Sequence, residues 1–261
     1  MQSEMDRVRT FWDSRPCNIR HSSEPIGSKK YFDEVEARKY FVEPHIPGFA
    51  DFTNWKKRQV LEIGCGIGTD AVNFARNEAL YTGVELSVES LRIAEQRFKV
   101  FNLEGTLLCG NAESIDELFP NRTFDLIYSF GVLHHTPDIS KAFKAIRKLT
   151  NPRTTFKFMV YAKNSWKSAL INEGFDQPEA QFGCPIANVY STEEITELLA
   201  RAGFRADSIT QDHIFPYKID KYRNYEYELE PWFAQMSISM RQALERQLGW
   251  HLLVTATPIA R

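Results

Sequence analysis

The sequence lacks the features that set membrane, secreted and metal-bound proteins apart. Its apolar runs are only a few residues long, so it predicts neither a membrane-spanning helix nor a secretory signal. Its four cysteines show no C-x-x-C spacing and predict neither a zinc site nor a disulfide framework. We therefore expect a cytoplasmic protein without a membrane partner.

An excess of basic charge is also missing. Lys and Arg total 32 against 34 Asp and Glu, which gives a formal net charge of -2. Proteins that bind the phosphate backbone of nucleic acids carry a strongly basic surface, so we expect no nucleic-acid partner. The 261 residues are 43% apolar and contain no repeat or long linker, which fits one large domain or a domain with a cap.

From about residue 59 the sequence alternates between short buried strands and amphipathic helices. Repeated strand–helix units predict a mostly parallel sheet with helices on both faces, and ligands at the carboxyl ends of its strands. Seven strands are predicted, near residues 60–63, 81–84, 106–109, 124–129, 154–161, 206–210 and 250–257.

Three stretches fall outside this pattern. We interpret residues 1–58 as an N-terminal helical lid segment, in which 31–43 can form a helix with Phe32, Val35, Lys39 and Val42 toward one side. Within a second unit, residues 59–261, the stretches 163–190 and 213–248 are interpreted as cap insertions. The alternative is that all three merely extend the core.

A glycine turn follows the first predicted strand, with Gly64, Gly66 and Gly68 at alternate positions. Glu85 ends the second predicted strand, 21 positions after Gly64. Glycine lets the backbone turn tightly and approach a ligand, and an acid at this strand end can bind both hydroxyls of a ribose. The pair indicates a nucleoside ligand. Thr69 stands where the dinucleotide motif has Gly or Ala, which disfavours NAD.

Four segments resemble, in order, the motifs of class I S-adenosylmethionine-dependent methyltransferases, and most closely their small-molecule branch, called type 11. They are VLEIGCGIG (60–68), GVELS (83–87), GNAE (110–113), and FDLIYS with GVLHH (124–129 and 131–135). The resemblance covers residues 59–161. It implies a Rossmann-like seven-stranded sheet, S-adenosyl-L-methionine as the cofactor and a small-molecule acceptor.

Carried over position by position, the resemblance also implies how the cofactor is bound. The glycines would pass close to its methionine and ribose parts, Glu62 would lie near the methionine ammonium, and Glu85 would hold the ribose. Asn111, where Asp is more usual, would meet the adenine amino edge, with Ala112 against the ring. The implied cofactor-binding residues are Glu62, Gly64, Gly66, Gly68, Glu85, Leu86, Asn111, Ala112, Phe130 and Gly131.

The adjacent histidines His134 and His135 are the candidates for proton transfer, because neutral imidazole accepts protons near pH 7. His134 occupies the place at which phosphoethanolamine methyltransferases carry a catalytic histidine that works with a tyrosine of their N-terminal segment. This similarity implies His134 as a catalytic residue, with Tyr31 or Tyr40 as its partner. The alternative is that both histidines only pack the turn.

The residues after the fourth predicted strand also bear on the reaction. They lack the Asn/Asp-Pro-Pro-Tyr signature of amine-methylating DNA and protein enzymes and the acidic magnesium ligands of catechol-type enzymes. We expect metal-independent methyl transfer to an O, N or C atom of a small metabolite. The alternatives are another reaction at the cofactor's sulfonium, such as cyclisation or aminocarboxypropyl transfer, and a non-catalytic cofactor-binding subunit.

Overall fold

The computed structural model describes residues 3–174, 176 and 183–260. Within those residues one sheet contains eight strands: β1 (Gln59–Ile63), β2 (Leu80–Glu85), β3 (Thr106–Cys109), β4 (Phe124–Phe130), β5 (Thr150–Ala162), β6 (Val189–Tyr190), β7 (Phe204–Asp212) and β8 (His251–Pro258). The strand order is β3-β2-β1-β4-β5-β8-β7, and the short β6 pairs with β5 off this path.

Eleven α-helices are present in the described part of the chain. They are α1 (Glu4–Ser14), α2 (Lys29–Val42), α3 (Ile46–Ala50), α4 (Thr69–Arg76), α5 (Val88–Phe101), α6 (Ile139–Lys148), α7 (Trp166–Asn172), α8 (Thr192–Arg201), α9 (Ile219–Arg223), α10 (Pro231–Ala234) and α11 (Ile238–Leu248). No helix in this part of the chain is both long enough and apolar enough to cross a bilayer.

The predicted Rossmann-like fold is confirmed. Strands β1 to β5 pair in parallel, while β8 runs antiparallel between β5 and β7. All seven predicted strands are present, and β6 is an eighth strand of two residues inside the stretch 163–190. The carboxyl ends of β1, β2 and β4 therefore meet at one edge of the sheet, where ligands bind in folds of this type.

Helices cover both faces because successive strand residues point in opposite directions. Leu61 of β1 and Ile127 of β4 belong to a core that includes α6 and α8. Their neighbours Val60 and Leu126 belong to the other core, which includes α4 and α5. Helix ends follow local sequence signals, such as the capping box of Ser191 that begins α8.

The stretches outside the predicted core differ in how they pack. Helix α2 buries Tyr31, Phe32 and Val35 in a cluster with Ile67 and Ile93. Helix α1 lies against α5, where Asp13 accepts a hydrogen bond from the backbone of Glu89. The stretch 213–248 contains α9 to α11 and reaches α2. That these stretches form a lid over the site stays a prediction.

Candidate functional site

The glycine loop between β1 and α4 approaches the segment that follows β4. Gly64, Gly66 and Gly68 all have positive φ angles, of 77°, 53° and 79°. A Cβ added at Gly64 would lie 2.2 Å from Cγ2 of Val132, so only glycine fits there. A Cβ at Gly66 would meet no atom of the described residues within 4 Å. The loop is thus tight against the protein on one side and open to a ligand at Gly66.

Glu85, at the end of β2, is held beside this open position. Its two carboxylate oxygens accept hydrogen bonds from the backbone N–H of Gly66, at 2.8 Å, and of Ser87, at 2.9 Å. Burial raises the pKa of the Glu85 carboxyl. A carboxylate offers about four lone-pair positions, so both oxygens can still accept a hydrogen bond from a ligand hydroxyl.

Glu62, in β1, is the second acid at this edge of the sheet. It is 3% exposed and accepts a hydrogen bond from the Tyr81 hydroxyl at 2.6 Å. Burial and the neighbouring Asp70 raise the pKa of Glu62 to about 8, although Tyr81 and Lys39 act in the opposite direction. A cationic ligand group would favour its ionised form.

Asp70, in the first turn of α4, is a site residue that sequence reasoning missed. Oδ1 accepts hydrogen bonds from Lys39 Nζ at 2.7 Å and the Tyr40 hydroxyl at 3.0 Å, and Oδ2 accepts one from the Tyr128 hydroxyl at 3.0 Å. Two buried acids, Glu62 and Asp70, thus face a single lysine. The ammonium of a bound amino-acid group would favour the ionised form of Glu62 and so add a second negative charge beside Asp70.

The remaining residues implied for the cofactor lie at the same edge. Asn111 uses its side-chain oxygen to accept a hydrogen bond from the backbone of Glu113, at 2.9 Å, and so caps a short 3₁₀ helix. Ala112 is buried in that helix. Phe130 ends β4 and is followed by Gly131, which has a φ of 74°. Leu86, half-buried, follows β2. Their roles as cofactor ligands stay predictions.

The three residues implied for catalysis are not brought together by the described contacts. The His134 ring is fully buried and packs against His135 and Tyr161, with ring centroids 4.1 and 3.7 Å away. Burial lowers its pKa well below the usual value. The Tyr31 hydroxyl donates to the Ile19 carbonyl, and the Tyr40 hydroxyl contacts Asp70. The role of His134 with either tyrosine stays a prediction.

A cluster of three other histidines was also missed. Nε2 of His45 and Nδ1 of His251 are hydrogen-bonded at 2.9 Å, and the His213 ring lies 4.5 Å from the His251 ring. Burial lowers the pKa of His45 to about 4 and that of His213 to about 3. His45 and His213 line a cavity of about 340 Å³. The His45 ring also contacts Phe130, with centroids 5.9 Å apart.

Comparison with known sequences links the chain to one family. Residues 35–209 match a family described as a methyltransferase domain. The chain is 28% identical over 81 residues to 27-O-demethylrifamycin SV methyltransferase of Amycolatopsis mediterranei, covering 31% of this chain and 30% of that protein. It is 26% identical over 151 residues to ubiquinone biosynthesis O-methyltransferase of Idiomarina loihiensis, covering 57% and 59%. The chain therefore spans less than two thirds of either relative.

Comparison of structures extends over nearly the whole chain. Magnesium protoporphyrin IX methyltransferase from Synechocystis PCC 6803, solved with bound S-adenosylhomocysteine, superposes with a TM-score of 0.63. The alignment covers 97% of this chain and 98% of that one, at 14% sequence identity. At that identity the similarity establishes a shared fold.

Proposed function

The chain belongs to the methyltransferase-domain family, and from this premise we propose that it transfers the methyl group of S-adenosyl-L-methionine to an O, N or C atom of a small molecule. The observation that carries the proposal is the position of Glu85. Backbone N–H groups of Gly66 and Ser87 hold its carboxylate at the end of β2, beside the open side of the glycine loop. An acid in this position can accept hydrogen bonds from both ribose hydroxyls.

The charges around Glu62 and Asp70 support the same cofactor. S-adenosylmethionine carries an α-ammonium group, which would pair with Glu62 once that buried carboxyl releases its proton, beside the Lys39–Asp70 ion pair. Bound there, the cofactor supplies an electrophilic methyl carbon on a sulfonium. The protein's own part is then to hold the acceptor atom in line with that carbon, since orientation alone can account for much of the rate.

A small-molecule acceptor is supported by the curated relatives. Their names specify a rifamycin derivative and a step of ubiquinone biosynthesis, both of which concern small molecules. The formal net charge of -2 gives no support to a nucleic-acid acceptor. We also propose that the protein acts in the cytoplasm and without a metal ion.

Two measurements test the proposed function. Calorimetry should detect binding of S-adenosylhomocysteine to the purified protein, and the loss of most of that binding in Glu85→Ala. Incubation of S-adenosylmethionine with mixtures of small acceptors should yield S-adenosylhomocysteine. If the product is methylthioadenosine instead, the reaction is not methyl transfer, and if S-adenosylhomocysteine does not bind, the cofactor is wrong.

A further inference from the structure

His45 and His251 form a buried pair of imidazoles at the carboxyl-end edge of the sheet. The two residues are 206 positions apart, and Nε2 of His45 lies 2.9 Å from Nδ1 of His251. Their side chains are 7% and 5% exposed. Because one ring must donate the shared proton and the other must accept it, the pair has two neutral arrangements. Only one of them leaves His45 with a lone pair on Nδ1.

The surroundings favour that arrangement. Nε2 of His251 lies 3.8 Å from a carboxylate oxygen of Glu43, which favours a proton on Nε2 and makes Nδ1 the acceptor. His45 then donates from Nε2, and its Nδ1 carries the lone pair. Nδ1 of His45 is buried and has no hydrogen-bond partner among the described residues. A buried N–H without an acceptor is less tolerated than a buried lone pair without a donor.

Asp212 is the neighbour of Nδ1 that argues for the opposite arrangement. Its Oδ1 lies 3.9 Å from Nδ1 of His45, which, like the 3.8 Å between Glu43 and His251, is too long for a hydrogen bond. That oxygen already accepts the backbone N–H of His213 at 2.6 Å. The Asp212 side chain is also 41% exposed, against 19% for Glu43, so water weakens its field more strongly.

The cavity next to His45 has the size and lining for a small aromatic molecule. Its volume of about 340 Å³ is at the lower end of the range for ligand sites. The rings of Phe41 and Tyr217, which line it, are stacked with centroids 5.9 Å apart. Asp212 and Glu245 also line the cavity. Burial raises the pKa of Glu245, and the nearby Asp212 raises it further. Two carboxyl groups disfavour an anionic ligand.

We infer that this cavity holds the acceptor as a neutral aromatic hydroxyl compound, and that Nδ1 of His45 is the base that removes the hydroxyl proton. The inference rests on the proposed function. As the C–S bond of the sulfonium breaks and the O–CH₃ bond forms, the C–S electron pair stays on sulfur as a thioether. The hydroxyl proton passes to Nδ1 of His45 and later to water. An acceptor kept neutral by Asp212 and Glu245 needs such a base.

The position of His45 joins the cavity to the cofactor edge. Its ring contacts Phe130, at the end of β4, and also lines the cavity. His251 acts as a positioning residue, since it accepts the Nε2 proton of His45 and fixes which nitrogen carries the lone pair.

The titratable and charged groups facing the pair are Glu43, Asp212, His213, His134, Lys39, Lys167 and Asp70. Among the described residues no group of three or more His, Cys, Asp or Glu is arranged to hold a metal ion.

The first test determines directly which imidazole nitrogens carry a proton, and it does not require methyl transfer. Imidazole ¹⁵N spectra at pH 7, with S-adenosylhomocysteine bound, should show Nδ1 of His45 unprotonated and Nε2 of both rings protonated. Spectra of His45→Gln and His251→Gln assign the signals. A proton on Nδ1 of His45 would overturn the inference.

The second test measures methyl transfer to phenol, catechol and guaiacol as probes. His45→Gln keeps a side-chain N–H for His251 but loses the base, so kcat should fall by about 10²–10⁴-fold. Affinity for S-adenosylhomocysteine should stay at the wild-type value, which shows that the variant is folded and that the cofactor site is intact. His21→Gln is the control, because His21 is also buried with a pKa lowered to about 3 but contacts Tyr222 instead; its kcat should not change.

The outcomes separate the inference from the proposed function. If the wild-type protein binds S-adenosylhomocysteine but methylates none of the probes, the aromatic hydroxyl acceptor is refuted. If His45→Gln methylates them at the wild-type kcat, His45 is not the base. If the wild-type protein does not bind S-adenosylhomocysteine, the proposed function fails and the inference fails with it.

Discussion

Replacing Glu62 by Gln should remove a proton release that accompanies ligand binding. With a pKa of about 8, the Glu62 carboxyl is protonated in about 90% of molecules at pH 7 and in about 99% at pH 6. If the ligand ammonium binds the ionised form, the apparent dissociation constant is divided by the ionised fraction. The affinity for S-adenosylhomocysteine should therefore rise about tenfold from pH 6 to pH 7, with about 0.9 proton released per ligand at pH 7.

Calorimetry in buffers with different ionisation enthalpies measures this release. Glu62→Gln has no proton to lose at this position, so its binding should release none and should not strengthen with pH over this range. Methylthioadenosine provides a matched control on the ligand side, because it has the nucleoside but no ammonium, and its binding to the wild-type protein should release none either. A wild-type affinity that does not change between pH 6 and pH 7, or an equal release in Glu62→Gln, would refute the placement of the ammonium beside Glu62.

Three further predictions concern binding of the cofactor ribose, the metal dependence of turnover, and closure of the predicted lid segments. Glu85→Ala should weaken S-adenosylhomocysteine binding by about 2–4 kcal/mol, because two hydrogen bonds to a charged group are lost, and calorimetry showing unchanged affinity would contradict this. Turnover should survive EDTA, since no acidic cluster follows β4, and a loss restored by magnesium would reveal a missed site. Amide hydrogen exchange in residues 1–58 and 213–248 should slow on ligand binding, with α1, whose Trp12 ring lies 5.2 Å from the His135 ring, as the clearest case. Equal exchange with and without ligand would argue against closure.

Much of the fold could be predicted because its signals are local. The β1 strand, the glycine turn and α4 follow one another within residues 59–76, and the capping box of Ser191 lies within four residues. Short-range patterns of this kind do not depend on the rest of the chain. The two-residue β6 carries too few residues for such a pattern. The position of α2 in the fold could not be predicted either. Its apolar residues indicate that one face of the helix is buried, but not which part of the chain covers that face.

The candidate site was predicted only where it follows the chain closely. Glu85 comes directly after a strand and could be assigned from its distance to the glycine turn. The contact of Lys39 with Asp70 spans 31 positions, and that of His45 with His251 spans 206. Isolated histidines and lysines give no signal in a sequence, since lysine is mostly exposed and histidine is of intermediate burial in proteins generally. Only the folded sheet brings these residues together.

The placement of β8 has a consequence for how the chain acquires its structure during synthesis. Ribosomes release β7 before β8, yet β7 pairs with the sheet through β8, which lies between it and β5. Until residues 251–258 emerge, β5 and β7 both expose unpaired strand edges, which are prone to join other chains. His251 is the first residue of β8. The imidazole pair of His45 and His251 can therefore form only after the sheet has closed.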